Sequence, residues 1–114
     1  MAAARSNRNE LFKASKFSEA CVAYGEGLEN DPYNSVLLCN RAACRSKTGQ
    51  LEKAMEDCNA ALSLHPSYSK ARLRRADCNA KVKIEKHLNK VPLFTYIMQC
   101  TFNIFMCLIC VLCL

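Results

Sequence analysis

Nine cysteines and two histidines hold most of the nucleophilic and metal-ligating chemistry available to this 114-residue chain. Cys107, Cys110 and Cys113 form a CxxCxxC run, and CxxC pairs can bind zinc or do redox chemistry. This run has no histidine, charge or turn beside it. Positions i, i+3 and i+6 of an apolar helix also give poor zinc geometry, so no metal and no cofactor is expected. Cys21, Cys39, Cys44, Cys58 and Cys78 fall at helical positions among apolar residues, where free cysteine behaves as a small buried hydrophobe. The odd count, with no apolar leader after the initial Met, points to reduced thiols in the cytosol. His65 precedes Pro66 and His87 lies among lysines. Neither has an acid or nucleophile partner in the sequence, and no glycine-rich phosphate loop exists, so the chain is not expected to be an enzyme. Lys70-Ala-Arg-Leu-Arg-Arg75 is a basic cluster of the kind that can contact nucleic acid. No stacking aromatics are interleaved with it, and a nucleic-acid partner is not expected.

What remains is polar recognition. Sixteen basic residues against 10 acidic ones leave a net charge of +6, which suits an anionic partner. All of these charges lie at or before Lys90. Glycine and proline number three each, too few turn residues for a strand-rich domain, so an all-α fold is expected.

The elements that must position these side chains follow from an internal repeat. A shift of 34 residues lays Pro32 on Pro66, Ala20 on Ala54, Leu28 on Leu62, Ser35 on Ser69 and Phe17 on Leu51. It also lays Arg41 on Arg75, Ala42 on Ala76 and Cys44 on Cys78. A period of 34 is that of the tetratricopeptide repeat, a helix–turn–helix unit. The pattern predicts a first A helix over about Ala4–Ser15 and its B partner over Ser18–Glu29, ended by Asn30-Asp31-Pro32. A second pair follows over Ser35–Lys47 and Glu52–Leu64, with Thr48-Gly49 as its inner turn, and a third A helix begins near Ser69. Ala20, Ala42, Ala54 and Ala76 are expected where helices approach closely. Larger residues such as Leu11, Phe12, Phe17, Tyr24, Leu28, Leu37, Leu38, Leu51 and Leu62 fill between them.

Three stretches carry a closer resemblance: Asn9-Glu-Leu-Phe-Lys-Ala-Ser-Lys-Phe-Ser-Glu-Ala20, Cys39-Asn-Arg-Ala-Ala-Cys44 and Lys70-Ala-Arg-Leu-Arg-Arg-Ala76. Over about residues 5–81 the chain resembles the clamp-type tetratricopeptide domains of chaperone cofactors, and among them the plant tetratricopeptide-repeat thioredoxin-like proteins. The resemblance implies a groove lined by A helices, holding a peptide that ends Glu-Glu-Val-Asp. Such peptides are the C-terminal tails of heat-shock chaperones of the seventy and ninety classes. It implies that Arg5, Asn9 and Asn40 hold the main-chain carboxylate, and that Lys70 and Arg74 hold the side-chain carboxylate and a peptide oxygen. The spacing is physically sensible, because Arg5/Asn9 and Lys70/Arg74 are each four apart and share a helix face. Asparagine is a middling helix former whose side chain competes with the backbone. Asn9 and Asn40 inside helices therefore point to a ligand-facing task, or to a hydrogen bond between helices. Charge-assisted hydrogen bonds contribute about 1.5–3 kcal/mol each, so losing one donor is expected to weaken binding roughly tenfold or more. The thioredoxin-like domain of the resembling plant proteins has no counterpart in these residues, and no such activity is carried over.

Two departures stand out. Arg8 occupies a place where the pattern has a small residue, and is expected to push the first helix off its partner. The third unit, residues 69–81, lacks a recognisable B helix, and a basic linker follows over 82–92. Residues 93–114 form an uncharged run of 22 residues, long enough to span a bilayer. With Lys81, Lys83, Lys86 and Lys90 before it, the run reads as a C-terminal membrane anchor that leaves the repeats in the cytosol. It also reads as translated intron, since Val82-Lys83 can be encoded by a splice-donor-like sequence. The fold expected is two and a half helical repeats followed by a hydrophobic helix. The function expected is a chaperone-tail adaptor. The alternative is a truncated, membrane-inserted product with no ligand.

Overall fold

The structure, a computed structural model, describes residues 2–90. Five helices make up almost all of it: α1 (Ala2–Lys13), α2 (Phe17–Asn30), α3 (Ser35–Lys47), α4 (Leu51–Leu64) and α5 (Ser69–Lys90). The chain divides between Val82 and Lys83, and the packing described below is that of the part up to Val82. The all-helical expectation holds, in two antiparallel pairs and a third A helix. The hydrophobic segment 93–114, with its expected membrane-spanning helix, lies outside the described residues. Among the described residues no helix is long and apolar enough to cross a membrane.

The helix ends follow local chemistry. Helix α3 starts at Ser35 because the Asn34 side chain accepts from the N–H groups of Val36 and Leu37, both at 3.1 Å, which satisfies two orphan donors of its first turn. Helix α1 stops at Lys13, two residues before the sequence expectation. Ser15 takes the left-handed conformation with φ 61°, and that ends the helix. The Ser15 N–H donates to the Phe12 carbonyl at 3.1 Å and the Lys16 N–H to the Leu11 carbonyl at 3.0 Å. Thirty-four residues on, Gly49 (φ 81°) closes α3 in the same manner. Its N–H donates to Ser46, and the Gln50 N–H to Arg45, at 3.4 and 2.8 Å. Both turns are the Schellman closure of a helix C-terminus. Only the second has the residue that enters this conformation without steric cost.

Small residues set the helix spacing. Ala20, Ala42 and Ala54 are fully buried, as the repeat predicts. Ala20, Tyr24 and Cys44 form one apolar cluster, onto which Leu11 and Phe12 of α1 pack. Leu28, Leu38, Cys39, Ala61 and Ala71 form a central one. Ala42, Leu51, Ala54, Cys58 and Cys78 form a third. Ala76 departs from the expectation and is exposed. Its partner would be the second helix of the third unit, and no such helix is present among the described residues. Leu73 on α5 is exposed as well.

A buried carboxylate fastens α3 to α4. Asp57 is almost wholly buried. It accepts from Arg41 Nε and Nη2 at 2.9 and 2.7 Å, and from Arg45 Nη1 at 2.8 Å. The paired Arg41 fork is the geometry in which arginine and carboxylate bind most strongly. Hydrogen bonding to Asp57 raises the Arg41 guanidinium above its ordinary pKa, against the opposing effect of burial.

Helix α5 runs through residues 82–90, the stretch read from sequence as the start of a basic linker. Nothing from Lys81 to Lys90 is glycine or proline, and Lys, Glu and Leu are good helix formers. The first possible breaker is Pro92.

Candidate functional site

The A helices α1, α3 and α5 carry the five residues singled out by sequence. Arg5 and Asn9 are exposed on α1, Asn40 is half-buried on α3, and Lys70 (exposed) and Arg74 (half-buried) lie one turn apart on α5. Side chains from all three helices line one cavity of about 170 Å³, among them Phe12 of α1, Ala43 and Lys47 of α3, and Arg74, Asp77 and Lys81 of α5; of the five residues only Arg74 is in this lining, and Arg5, Asn9, Asn40 and Lys70 lie outside it. On the rim, Lys81 Nζ lies 2.7 Å from Asp77 Oδ2 and 3.3 Å from Ser46 Oγ.

Two of the five already have partners in the protein. The Arg74 Nη1 group donates to the main-chain carbonyl of Cys39, the residue before Asn40, and lies 3.4 Å from the Cys39 sulfur. This places the Arg74 head against α3. On the other side, the Tyr24 hydroxyl of α2 donates to Asn9 Oδ1 at 3.0 Å. The hydrogen bond between helices that sequence offered for Asn9 is therefore present, and it engages only the oxygen of the amide.

Tyr24 ties the two sides together electrostatically. Burial, and then the neighbouring Cys44, push its hydroxyl above the ordinary value, while the Arg8 and Arg74 guanidiniums act in the opposite direction. A phenol titrates far above neutral pH even in water, so Tyr24 is a protonated donor under physiological conditions. The thiols nearby are poor nucleophiles. Burial, then Cys21, pushes Cys44 up to about 11. Burial, then Cys78 and Cys39, pushes Cys58 up to about 12. The five described cysteines are free thiols, and no group of metal-ligating residues occurs among the described residues. Cys107, Cys110 and Cys113 lie outside them.

Arg8, expected from sequence to hold the first helix off its partner, reaches α2 itself, and α1 meets α2 less extensively than α3 meets α4. The Arg8 guanidinium lies over Gly27 of α2, so close that a Cβ at Gly27 would stand 2.8 Å from Arg8 Nη1. The small residue is on the partner helix instead, and Leu11 and Phe12 still pack onto the α2 cluster. Arg8 Nε is left buried without a hydrogen-bond partner.

Sequence reasoning read Tyr24 only as core filler. Its hydroxyl was the available signal, because a buried tyrosine normally finds a polar partner. The Arg74 contact had no signal, since a main-chain carbonyl is present at every residue.

Comparison with known proteins agrees with this architecture. The tetratricopeptide repeat profile matches residues 35–68. The inactive TPR repeat-containing thioredoxin TTL3 of Arabidopsis thaliana is 63% identical over 71 residues, which cover 62% of this chain and 10% of that protein. The chain thus spans about a tenth of the length of the curated relatives it matches. Among solved structures, the first TPR of Spaghetti (RPAP3) bound to the HSP90 peptide SRMEEVD superposes with a TM-score of 0.69 at 34% identity, over 78% of this chain and 71% of that one. The second TPR domain of human RPAP3, in complex with the HSP70 peptide SGPTIEEVD, gives 0.67 at 32% identity over 74% and 70%. With the 34-residue period, the paired helices and these likenesses together, the chain belongs to the tetratricopeptide-repeat family.

Proposed function

We propose that residues 5–81 form a protein-interaction module that receives the acidic C-terminal tail of heat-shock chaperones of the seventy and ninety classes. The observation that carries this reading is the convergence of α1, α3 and α5 on one cavity edged by Arg74 and Lys47. Asn9, Asn40 and Lys70 stand on the same three helices. Two similar domains with bound peptides ending Glu-Glu-Val-Asp support the choice of ligand. In this assignment Arg5, Asn9 and Asn40 take the terminal main-chain carboxylate. Lys70 and Arg74 take the side-chain carboxylate of the last residue and a peptide oxygen. The module is an adaptor and performs no chemistry on its ligand. It works in the cytosol, where reduced thiols suit the cysteine-lined core.

Fluorescence-polarisation titration of the full chain with a labelled peptide ending Glu-Glu-Val-Asp tests the proposal. Saturable binding is expected, weakened roughly tenfold or more by Lys70→Ala and abolished when the peptide C-terminus is amidated. Lys70 is the better probe than Arg74, because it is exposed and its loss leaves the Arg74–Cys39 contact intact. No binding, or binding indifferent to Lys70→Ala and to amidation, rejects the assignment.

A further inference from the structure

We propose that Tyr24 is a positioning residue for the groove: its hydroxyl holds the Asn9 amide by the oxygen and leaves the Nδ2 edge to donate to a ligand carboxylate. This inference rests on the carboxylate-binding reading of the groove. A side-chain amide has one accepting end and one donating end, and an ionised carboxylate only accepts. An Asn9 turned the wrong way would therefore present oxygen to oxygen, so the function of the residue depends on which way it is held.

The geometry selects the orientation. Tyr24 is buried, with 3% of its surface exposed, so its ring is fixed by packing with Ala20 and Cys44. Its oxygen stands 3.0 Å from Asn9 Oδ1. A hydroxyl can donate or accept, and a lone tyrosine would tolerate either amide orientation. The structure holds Oδ1, and not Nδ2, toward the hydroxyl. Arg8 and Arg74 act on Tyr24 as positive neighbours, and guanidiniums only donate, so neither competes with the amide oxygen for the hydroxyl hydrogen.

The test is Tyr24→Phe in the full chain, which removes one oxygen and keeps the buried ring. Affinity for a peptide ending Glu-Glu-Val-Asp is expected to fall about five- to tenfold. In an Asn9→Ala background the same substitution is expected to change affinity less than about twofold, because there is no amide left to orient. A merely structural role would give the same loss in both backgrounds. The parent chain supplies a second measurement that needs no variant. The Asn9 side-chain NH2 resonances should move when the peptide is added and stay in place when its C-terminus is amidated. Equal affinity of parent and Tyr24→Phe, or an equal loss in the Asn9→Ala background, overturns the inference while leaving the groove assignment standing, whereas an Asn9 amide that ignores the peptide overturns the inference and also removes Asn9 from that assignment. Failure of the parent chain to bind the peptide overturns both.

Discussion

The pair α1–α2 and the pair α3–α4 are built on one 34-residue template, yet they are held together by different physics. In the second pair, Ala42 and Ala61 are both fully buried, a glycine closes the inner turn, and Arg41 and Arg45 grip Asp57. In the first, the residues 34 positions earlier are Arg8 and Gly27, Ser15, and Asn7, Leu11 and Ala23. Small against small becomes long against absent, glycine becomes a strained serine, and the ionic tie becomes apolar contact. No residue from 3 to 13 is fully buried, whereas α3 and α4 bury five side chains each. A repeat pattern thus specifies where helices meet and leaves open how firmly. The candidate positions Arg5 and Asn9 stand on the less firmly held helix.

The sharpest way to break this contrast is to remove the carboxylate. Asp57→Ala leaves two guanidiniums facing a hydrophobic gap, and truncating one partner of a buried pair costs about 3–5 kcal/mol. Urea unfolding followed by circular dichroism should show a loss near the lower end, since both arginine side chains are about one-fifth exposed. A loss under about 1 kcal/mol would mean that the second pair is no better fastened than the first. The next effect concerns Arg8. Ala is better than Gly inside a helix by about 1 kcal/mol, but a Cβ at Gly27 meets Arg8 Nη1 at 2.8 Å. Gly27→Ala is therefore expected to be near neutral in the parent chain and to stabilise by up to about 1 kcal/mol in an Arg8→Ala background, less whatever the remaining 3.3 Å contact with Leu37 Cδ1 takes back. Identical effects in the two backgrounds would separate Arg8 from Gly27. The smallest effect sharpens the comparison of the turns. Ser15→Gly relieves a left-handed conformation and should raise stability by about 0.5–1 kcal/mol, while Gly49→Ala should lower it by about 1 kcal/mol. Equal and opposite shifts in melting temperature would show that one turn geometry serves both pairs.

Chemical labelling extends the contrast without touching stability. Thiolate is the reactive form of cysteine. Cys44 and Cys58, held near 11 and 12, carry almost none at pH 8. Among the described cysteines, half-buried Cys21 should react with iodoacetamide first, and Cys58 only on unfolding. Prompt modification of Cys58 in the native chain would contradict the packing around it.

Much of the scaffold was legible in the sequence because periodicity is a local signal. Proline and alanine recurring at 34 residues placed every helix to within about two residues at its start, and α3 at both ends. The boundary errors lie where one side chain decides, as at Ser15. What was not legible depends on pairs remote in sequence. Asp57 meets arginines 16 and 12 residues away, and the fork exists only once α3 and α4 are antiparallel. Arg8 looked like an intrusion because the compensating residue, Gly27, sits on another helix. The five candidate positions were readable as residue types at a repeat register. The partners of two of them in the free protein, the Tyr24 hydroxyl for Asn9 and the Cys39 carbonyl for Arg74, were not, since both are set by three-dimensional facing.

The anchoring of Arg74 on the Cys39 carbonyl has a consequence for how α5 would meet an anion. A long basic side chain gives up about 1.5–2 kcal/mol of rotamer freedom when it is immobilised, and that loss ordinarily weakens capture. Arg74 has already given up part of it in reaching α3, while its remaining N–H groups are available beside the cavity. Lys70, one turn away and exposed, has not. An arriving carboxylate would find one donor fixed in advance and one that must be recruited, so the first sets the geometry of arrival and the second adapts to it.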